Sequence, residues 1–124
     1  MRLSMIALGV ADLERSVAFY ERGLGWPVRS RDGDLVTFET GPTRLCLYPA
    51  GQLTAFAGVR PSAAGASVLH AINVEAAGEV DVLAARAQAH GGTLTRAAAP
   101  LPWGGYGACV TDPDGHVWEI AFAG

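Results

Sequence analysis

The run Asp112-Pro113-Asp114-Gly115-His116-Val117-Trp118-Glu119-Ile120-Ala121-Phe122 constrains the fold more than any other stretch, because it joins a tight reversal to an alternating apolar segment. Proline sets φ at the second position of the reversal, and glycine accepts the positive φ that ends it. The segment that follows predicts a strand. Side chains alternate with period two, so Val117, Glu119 and Ala121 share one face while Trp118, Ile120 and Phe122 share the other. The bulky face must be core. Glu119 is then a single carboxylate in an apolar run, either on a solvated sheet face or in a cavity, where an ionised group is costly without a partner.

The rest of the chain arranges such strands in two rounds. Residues 3–10 alternate, with Ile6, Leu8 and Val10 on one face and Leu3, Met5, Ala7 and Gly9 on the other, and predict a first strand. Asp12 is the expected N-cap of a helix whose stripe is Leu13, Val17, Tyr20 and Leu24, with Glu14 suited to the first turn and Gly23 and Gly25 ending it. Short strands are expected over 27–30, 35–40 and 44–48, separated by Asp32-Gly33-Asp34 and Gly41-Pro42-Thr43. Residues 50–66 turn to Gly, Pro, Ala and Ser and read as a linker, in which Leu53 and Phe56 are the large apolar side chains able to anchor a short helical turn. A strand over 67–74 follows. Val80, Leu83, Ala84 and Ala87 mark a second helix ended by His90-Gly91-Gly92, and strands are expected over 93–95, 107–110 and 117–122.

The order βαβββ therefore occurs twice, in module one (1–49) and module two (67–124), joined by the linker within one domain spanning 1–124. Each module has a curved sheet with a helix on its outer face, so the inner faces must bury against each other or enclose a cavity. The expected class is α+β: paired βαβββ modules forming a curved mixed sheet around a cavity.

Charge and cysteine usage narrow the function. Nine basic and twelve acidic residues are scattered along 124 positions, giving a net charge of −3. No Lys/Arg run provides a nucleic-acid footprint. No apolar stretch reaches the length of a membrane span and the N-terminus lacks signal-peptide features, so the expected location is the cytoplasm without membrane contact. Cys46 and Cys109 have neither CxxC spacing nor the density of a disulfide framework and are expected as buried free thiols. A Gly-x-Ser-x-Gly elbow and a phosphate-binding glycine loop are absent from the sequence. Trp103-Gly-Gly-Tyr106 is either a tightly folded loop under an aromatic cap or a surface on which a flat or cationic organic ligand stacks. Trp26 and Trp118 are core or subunit-contact residues.

Three segments resemble the vicinal oxygen chelate superfamily, which includes glyoxalase I, extradiol dioxygenases, fosfomycin-resistance proteins and bleomycin-binding proteins. They are Ala11-Asp12-Leu13-Glu14-Arg15-Ser16-Val17-Ala18-Phe19-Tyr20 with Leu24-Gly25, then Trp103-Gly104-Gly105-Tyr106-Gly107, then Asp112 through Glu119. The resemblance covers essentially the whole chain. It implies a site in which the first and last strand of each module contribute one ligand each to a divalent ion such as Zn, Fe, Mn or Ni, which chelates vicinal substrate oxygens. With Val10 and Val74 as register marks, those positions are Met5, Cys46, Leu69 and Glu119. Only Glu119 is a usual ligand; Met5 is a weak thioether, Leu69 cannot ligate, and Cys46 binds only as a thiolate.

His70 lies one residue from the expected place. Strand parity points it with Val68, Ile72 and Val74 toward the helix, and only a one-residue bulge would turn it to the cavity. The expected cavity residues are Met5, Cys46, Leu69, Trp103, Tyr106 and Glu119, with Glu119 the candidate catalytic group and Glu119 with His70 the alternative metal pair. Three functions follow from the resemblance. The first is cofactor-free binding of a small organic molecule, such as sequestration of an antibiotic or other natural product. The second is a metal-dependent lyase or dioxygenase of the glyoxalase I or extradiol type; the third is an interaction module with a vestigial cavity. Modules of about fifty residues leave an apolar face uncovered, so a homodimer is expected.

Overall fold

The computed structural model describes residues 3–57, 68–102 and 104–124. In chain order the elements are β1 (Met5–Val10), α1 (Leu13–Ala18) continuing into a π-helical turn (Phe19–Gly23), β2 (Val28–Asp32), β3 (Leu35–Phe38) and β4 (Arg44–Pro49). They continue with α2 (Ala50–Ala57), β5 (Leu69–Asn73), α3 (Ala77–Ala89), β6 (Thr93–Pro100), β7 (Tyr106–Thr111) and β8 (Val117–Phe122). Two four-stranded mixed sheets result, ordered β1-β4-β3-β2 and β5-β8-β7-β6. In each, the short hairpins make antiparallel neighbours and the helical crossover leaves the first strand parallel to the last. The expected α+β class and paired modules are what the chain forms. Among the described residues no helix is long and apolar enough to cross a membrane.

One core serves both sheets. Leu8, Val10, Val36, Phe38, Leu45 and Leu47 line it from the first sheet, and Ala108, Val110, Trp118 and Ile120 from the second. Val17, Phe19, Tyr20 and Leu24 enter from the first helix, and Val80, Ala84 and Ala87 from α3. Since each sheet turns one face to this core, its alternate side chains point away from it. Met5, Ala7 and Cys46 are on such an outward face of the first sheet, and Ala71, Cys109 and Glu119 on that of the second.

Three local features depart from the sequence expectations. Half of the stretch read as a linker is α2, which rests on β1 at Gly9; a Cβ there would meet the Leu53 side chain at 3.2 Å and the Ala50 backbone at 3.3 Å. It is held by that tertiary contact, which a Gly/Ala/Thr-rich sequence does not advertise. The first helix keeps its Asp12 cap, whose side chain accepts from the Arg15 N–H at 3.1 Å, but its second half widens to the π-helical turn. That widening brings adjacent Phe19 and Tyr20 both into the core. β6 extends to Pro100, past the expected 93–95, because bulges on both sides of Arg96 absorb its mismatch with β7.

The modules are locked together by the Asp112-Pro-Asp-Gly turn. Asp114 accepts from the Ala11 backbone N–H at 2.9 Å and the Ser16 hydroxyl at 3.1 Å, and His116 Nε2 bonds the Gly9 carbonyl at 2.9 Å. Asp112 is buried and accepts from the Tyr20 hydroxyl at 2.7 Å, while Trp118 Nε1 donates to that hydroxyl at 3.0 Å.

Burial first, and the neighbouring Asp112 carboxylate second, hold the Tyr20 phenol far above its ordinary value. An acid whose folded pKa is raised stabilises the fold below its unfolded pKa of about 10 and loses that contribution as pH rises above it, since the unfolded chain then releases the proton first. Stability should therefore fall by about 1.4 kcal/mol per pH unit above about pH 10 from this group alone. Urea melts between pH 9 and 11 check this, with phenolate absorbance from Tyr20 appearing only on unfolding. Unchanged stability over that range would refute it.

Candidate functional site

The outward face of the first sheet holds a pocket of about 330 Å³ between the strands and α2. Its walls are Met5, Ala7, Leu35, Tyr48, Leu53 and Phe56, with Asp32 at one side. Alternation along β1 and β4 brings Met5, Ala7 and Tyr48 to one surface, and α2 lays Leu53 and Phe56 over it. Phe56 is 88% exposed and Met5 49% exposed, so two large apolar side chains meet solvent at one opening. Cys46 belongs to the same face, paired with Ala7 and Thr37, but is sealed from solvent with its Sγ 3.3 Å from the Thr37 hydroxyl.

On the second sheet the strand register sets Ala71, Glu119, Cys109 and Arg96 in one row across β5, β8, β7 and β6. Glu119 is half-buried. Burial chiefly, then the Glu119 carboxylate, pushes the Cys109 thiol up, with Arg96 opposing them. A thiol held protonated is a poor nucleophile and a poor metal ligand.

The six expected cavity positions are thus brought together in part. Met5 and Cys46 share one face, and Leu69 and Glu119 share the other; within one chain these pairs look away from the common core in different directions. Leu69 also lines a separate cleft between the modules. Tyr106 is on the core side of β7 with Ala108 and Val110, away from Glu119, and its hydroxyl donates to Asp81 of α3 at 2.9 Å. That bond raises its phenol pKa. Trp103 lies outside the described residues. His70 pairs with Trp118 in register and stacks on its indole at 4.7 Å and 28°, with Nδ1 3.2 Å from the Val117 carbonyl. No bulge interrupts β5, so His70 is on the core-side face and Glu119 on the other.

Leu53 and Phe56 were visible in the sequence as the apolar residues of the supposed linker, without a sign of what they would cover. Arg96 carried no signal, since its place beside Cys109 depends on the β6 bulges.

Within one chain the described residues assemble no donor set for a divalent ion. Among the described residues no three His, Cys, Asp or Glu side chains cluster to hold a metal. A second copy placing its Met5 face against the Glu119 face would add one thiol, already hydrogen-bonded and buried, and one thioether.

Residues 2–120 match the model of the glyoxalase/bleomycin resistance protein/dioxygenase superfamily. No curated protein matches the chain. A crystal structure described as a glyoxalase-related enzyme from Fulvimarina pelagi is 38% identical, with a TM-score of 0.91 over 98% of this chain and 87% of that one. A glyoxalase/bleomycin resistance protein/dioxygenase from Nocardioides is 28% identical, with a TM-score of 0.80 over 99% and 83%. Lactoylglutathione lyase from Agrobacterium tumefaciens, 22% identical with a TM-score of 0.71 over 98% and 92%, shares the fold.

Proposed function

The chain belongs to the glyoxalase/bleomycin resistance protein/dioxygenase superfamily, and from that premise we propose that it binds a small organic molecule without a resident metal, sequestering an antibiotic or other natural product. The observation that carries this reading is the α2 pocket, whose volume of about 330 Å³ and apolar walls suit a drug-sized ligand. The unsuitable donor set supports the metal-free form. Two free cysteines suit a reducing compartment, hence the cytoplasm.

A metal-dependent lyase or dioxygenase is the second reading, favoured by the description of the Fulvimarina pelagi structure as an enzyme. One experiment separates the two. Protein incubated with Zn, Ni, Mn or Fe(II) and desalted should retain well under one equivalent by elemental analysis. Hits from a thermal-shift screen should bind at least about tenfold more weakly to Phe56→Asp, a loss of roughly 1.4 kcal/mol. One equivalent of tightly held metal, released by Glu119→Gln, would favour the enzyme instead.

A homodimer completes the proposal. Met5, Phe56 and Leu69 leave apolar surface exposed on both outward faces, and a twofold pair would close the Met5 face of one copy with the Glu119 face of the other. Ligand held between copies must then raise dimer stability by mass action. Sedimentation across a dilution series, with and without a screening hit, should show the dimer persisting to lower concentration with ligand. A monomer that binds the same hit equally well would exclude a shared site.

A further inference from the structure

A cleft of about 390 Å³ runs between the first strands of the two modules and, among the described residues, shares no lining residue with the α2 pocket. β1 and β5 are the edge strands of their sheets, so among the described residues neither is flanked by another strand on this side. The cleft opens between them. Ile6 and Leu69 are apolar wall, and behind them are two indoles, Trp26 and Trp118, with ring centroids 5.4 Å apart. His70 stacks over Trp118 and also faces the cleft. The walls therefore suit a flat ring.

The polar side chains among the described lining residues are two threonines, one arginine and one histidine. Thr40 and Thr43 line the cleft, but their hydroxyls are engaged: Thr40 donates to the Thr43 carbonyl at 2.7 Å, and Thr43 to the Leu3 carbonyl at 2.8 Å. Among the described residues Arg44 is the sole charged one lining the cleft. Its guanidinium bonds Glu39, and Glu39 also accepts from Arg29 at 2.9 Å. Two guanidiniums thus share one carboxylate, and the trio keeps a net positive charge. Arg44 retains N–H groups that Glu39 does not use, since a guanidinium has five. His70 Nδ1 is engaged with the Val117 carbonyl, so a neutral ring offers Nε2 as an acceptor.

We propose that this cleft is a second small-molecule site, distinct from the α2 pocket, which takes a planar aromatic carboxylate. The ring lies against Trp26 and the Trp118–His70 stack, and the carboxylate pairs with Arg44. A hydroxyl on the ring finds His70 Nε2. A cationic or neutral aromatic is disfavoured, because the former faces uncompensated positive charge and the latter leaves the guanidinium without its second partner.

The probe is 6-hydroxynaphthalene-2-carboxylate, titrated into the 124-residue chain by calorimetry, with its neutral carboxamide as control. The carboxylate is expected to bind at least about tenfold more tightly than the carboxamide, a preference that Arg44→Gln should erase. Val68→Glu, at an exposed position of the cleft wall, should abolish binding while the thermal midpoint holds. Phe56→Asp should leave the affinity unchanged, which separates this site from the α2 pocket. Equal binding of acid and amide, affinity insensitive to Arg44→Gln and Val68→Glu, loss of binding in Phe56→Asp, or no binding at millimolar probe would each overturn the proposal.

Discussion

Asp112→Ala is expected to lower stability by about 3–5 kcal/mol, a large fraction of the total for a domain of this size. One carboxylate serves three donors at once. Its Oδ1 accepts from the backbone N–H groups of Asp114 at 2.9 Å and His116 at 2.8 Å, while Oδ2 accepts from the Tyr20 hydroxyl. Alanine would leave all three without that acceptor beside a buried phenol, each at a cost of roughly 1–3 kcal/mol where water cannot enter. The loss also reaches beyond the turn, because Asp114, held by this network, clamps the start of α1 from the other module. At roughly 3–5 °C per kcal/mol for a chain of this length, the thermal midpoint should fall by about 10–20 °C. Tyr20→Phe should cost less, about 1–3 kcal/mol, as it removes one hydroxyl and leaves the turn's backbone bonds in place. The double variant should fall short of the sum, since both substitutions delete the same bond. A urea-derived loss under 1 kcal/mol for Asp112→Ala would show that the turn does not hold the modules together.

Gly105→Ala should be nearly as damaging for a different reason. Gly105 has φ +86°, and a Cβ built there would sit 2.3 Å from the Phe122 carbonyl oxygen and 3.2 Å from the Ala123 Cα. Both obstacles are backbone of β8 and its extension, so no side chain can rotate out of the way. The glycine is also pinned, because its own carbonyl accepts from Leu101 N–H at 3.0 Å. Left-handed backbone alone costs about 1–2 kcal/mol for a residue with a Cβ; displacing a strand end adds to that, for about 3 kcal/mol or more in total. Gly115→Ala is the control, since it has φ +90° with open space around it and should lose only the conformational part. Equal urea midpoints for the two variants would mean that the close approach to β8 carries no weight.

These two positions show how unevenly the chain discloses itself. Both belong to motifs visible in the sequence, and the turn chemistry of Asp-Pro-Asp-Gly was legible because φ preferences are local. That the turn reaches Ala11, 103 positions earlier, was not. The same division holds for the site. Glu119 and His70 fall on opposite faces as strand parity required, yet Tyr106 faces α3 although the glycine-rich segment before it was compatible with a ligand surface. The α2 pocket could not be foreseen, because it depends on a helix that forms against Gly9 rather than on its own pattern.

Alternation along β1 and β8, the Asp12 cap, the βαβββ order and its repetition are written in the chain, since each follows from side-chain geometry and backbone sterics within a few residues. What packs against each sheet's buried face was decided by the tertiary structure. The π-helical turn admits Phe19 and Tyr20 together, and desolvation then gathers Leu47, Ile120 and Val80 from distant segments around them. That packing leaves Met5 and Glu119 on separate outward faces, because the placement of one sheet against the other is set by the assembled surfaces and by no local spacing.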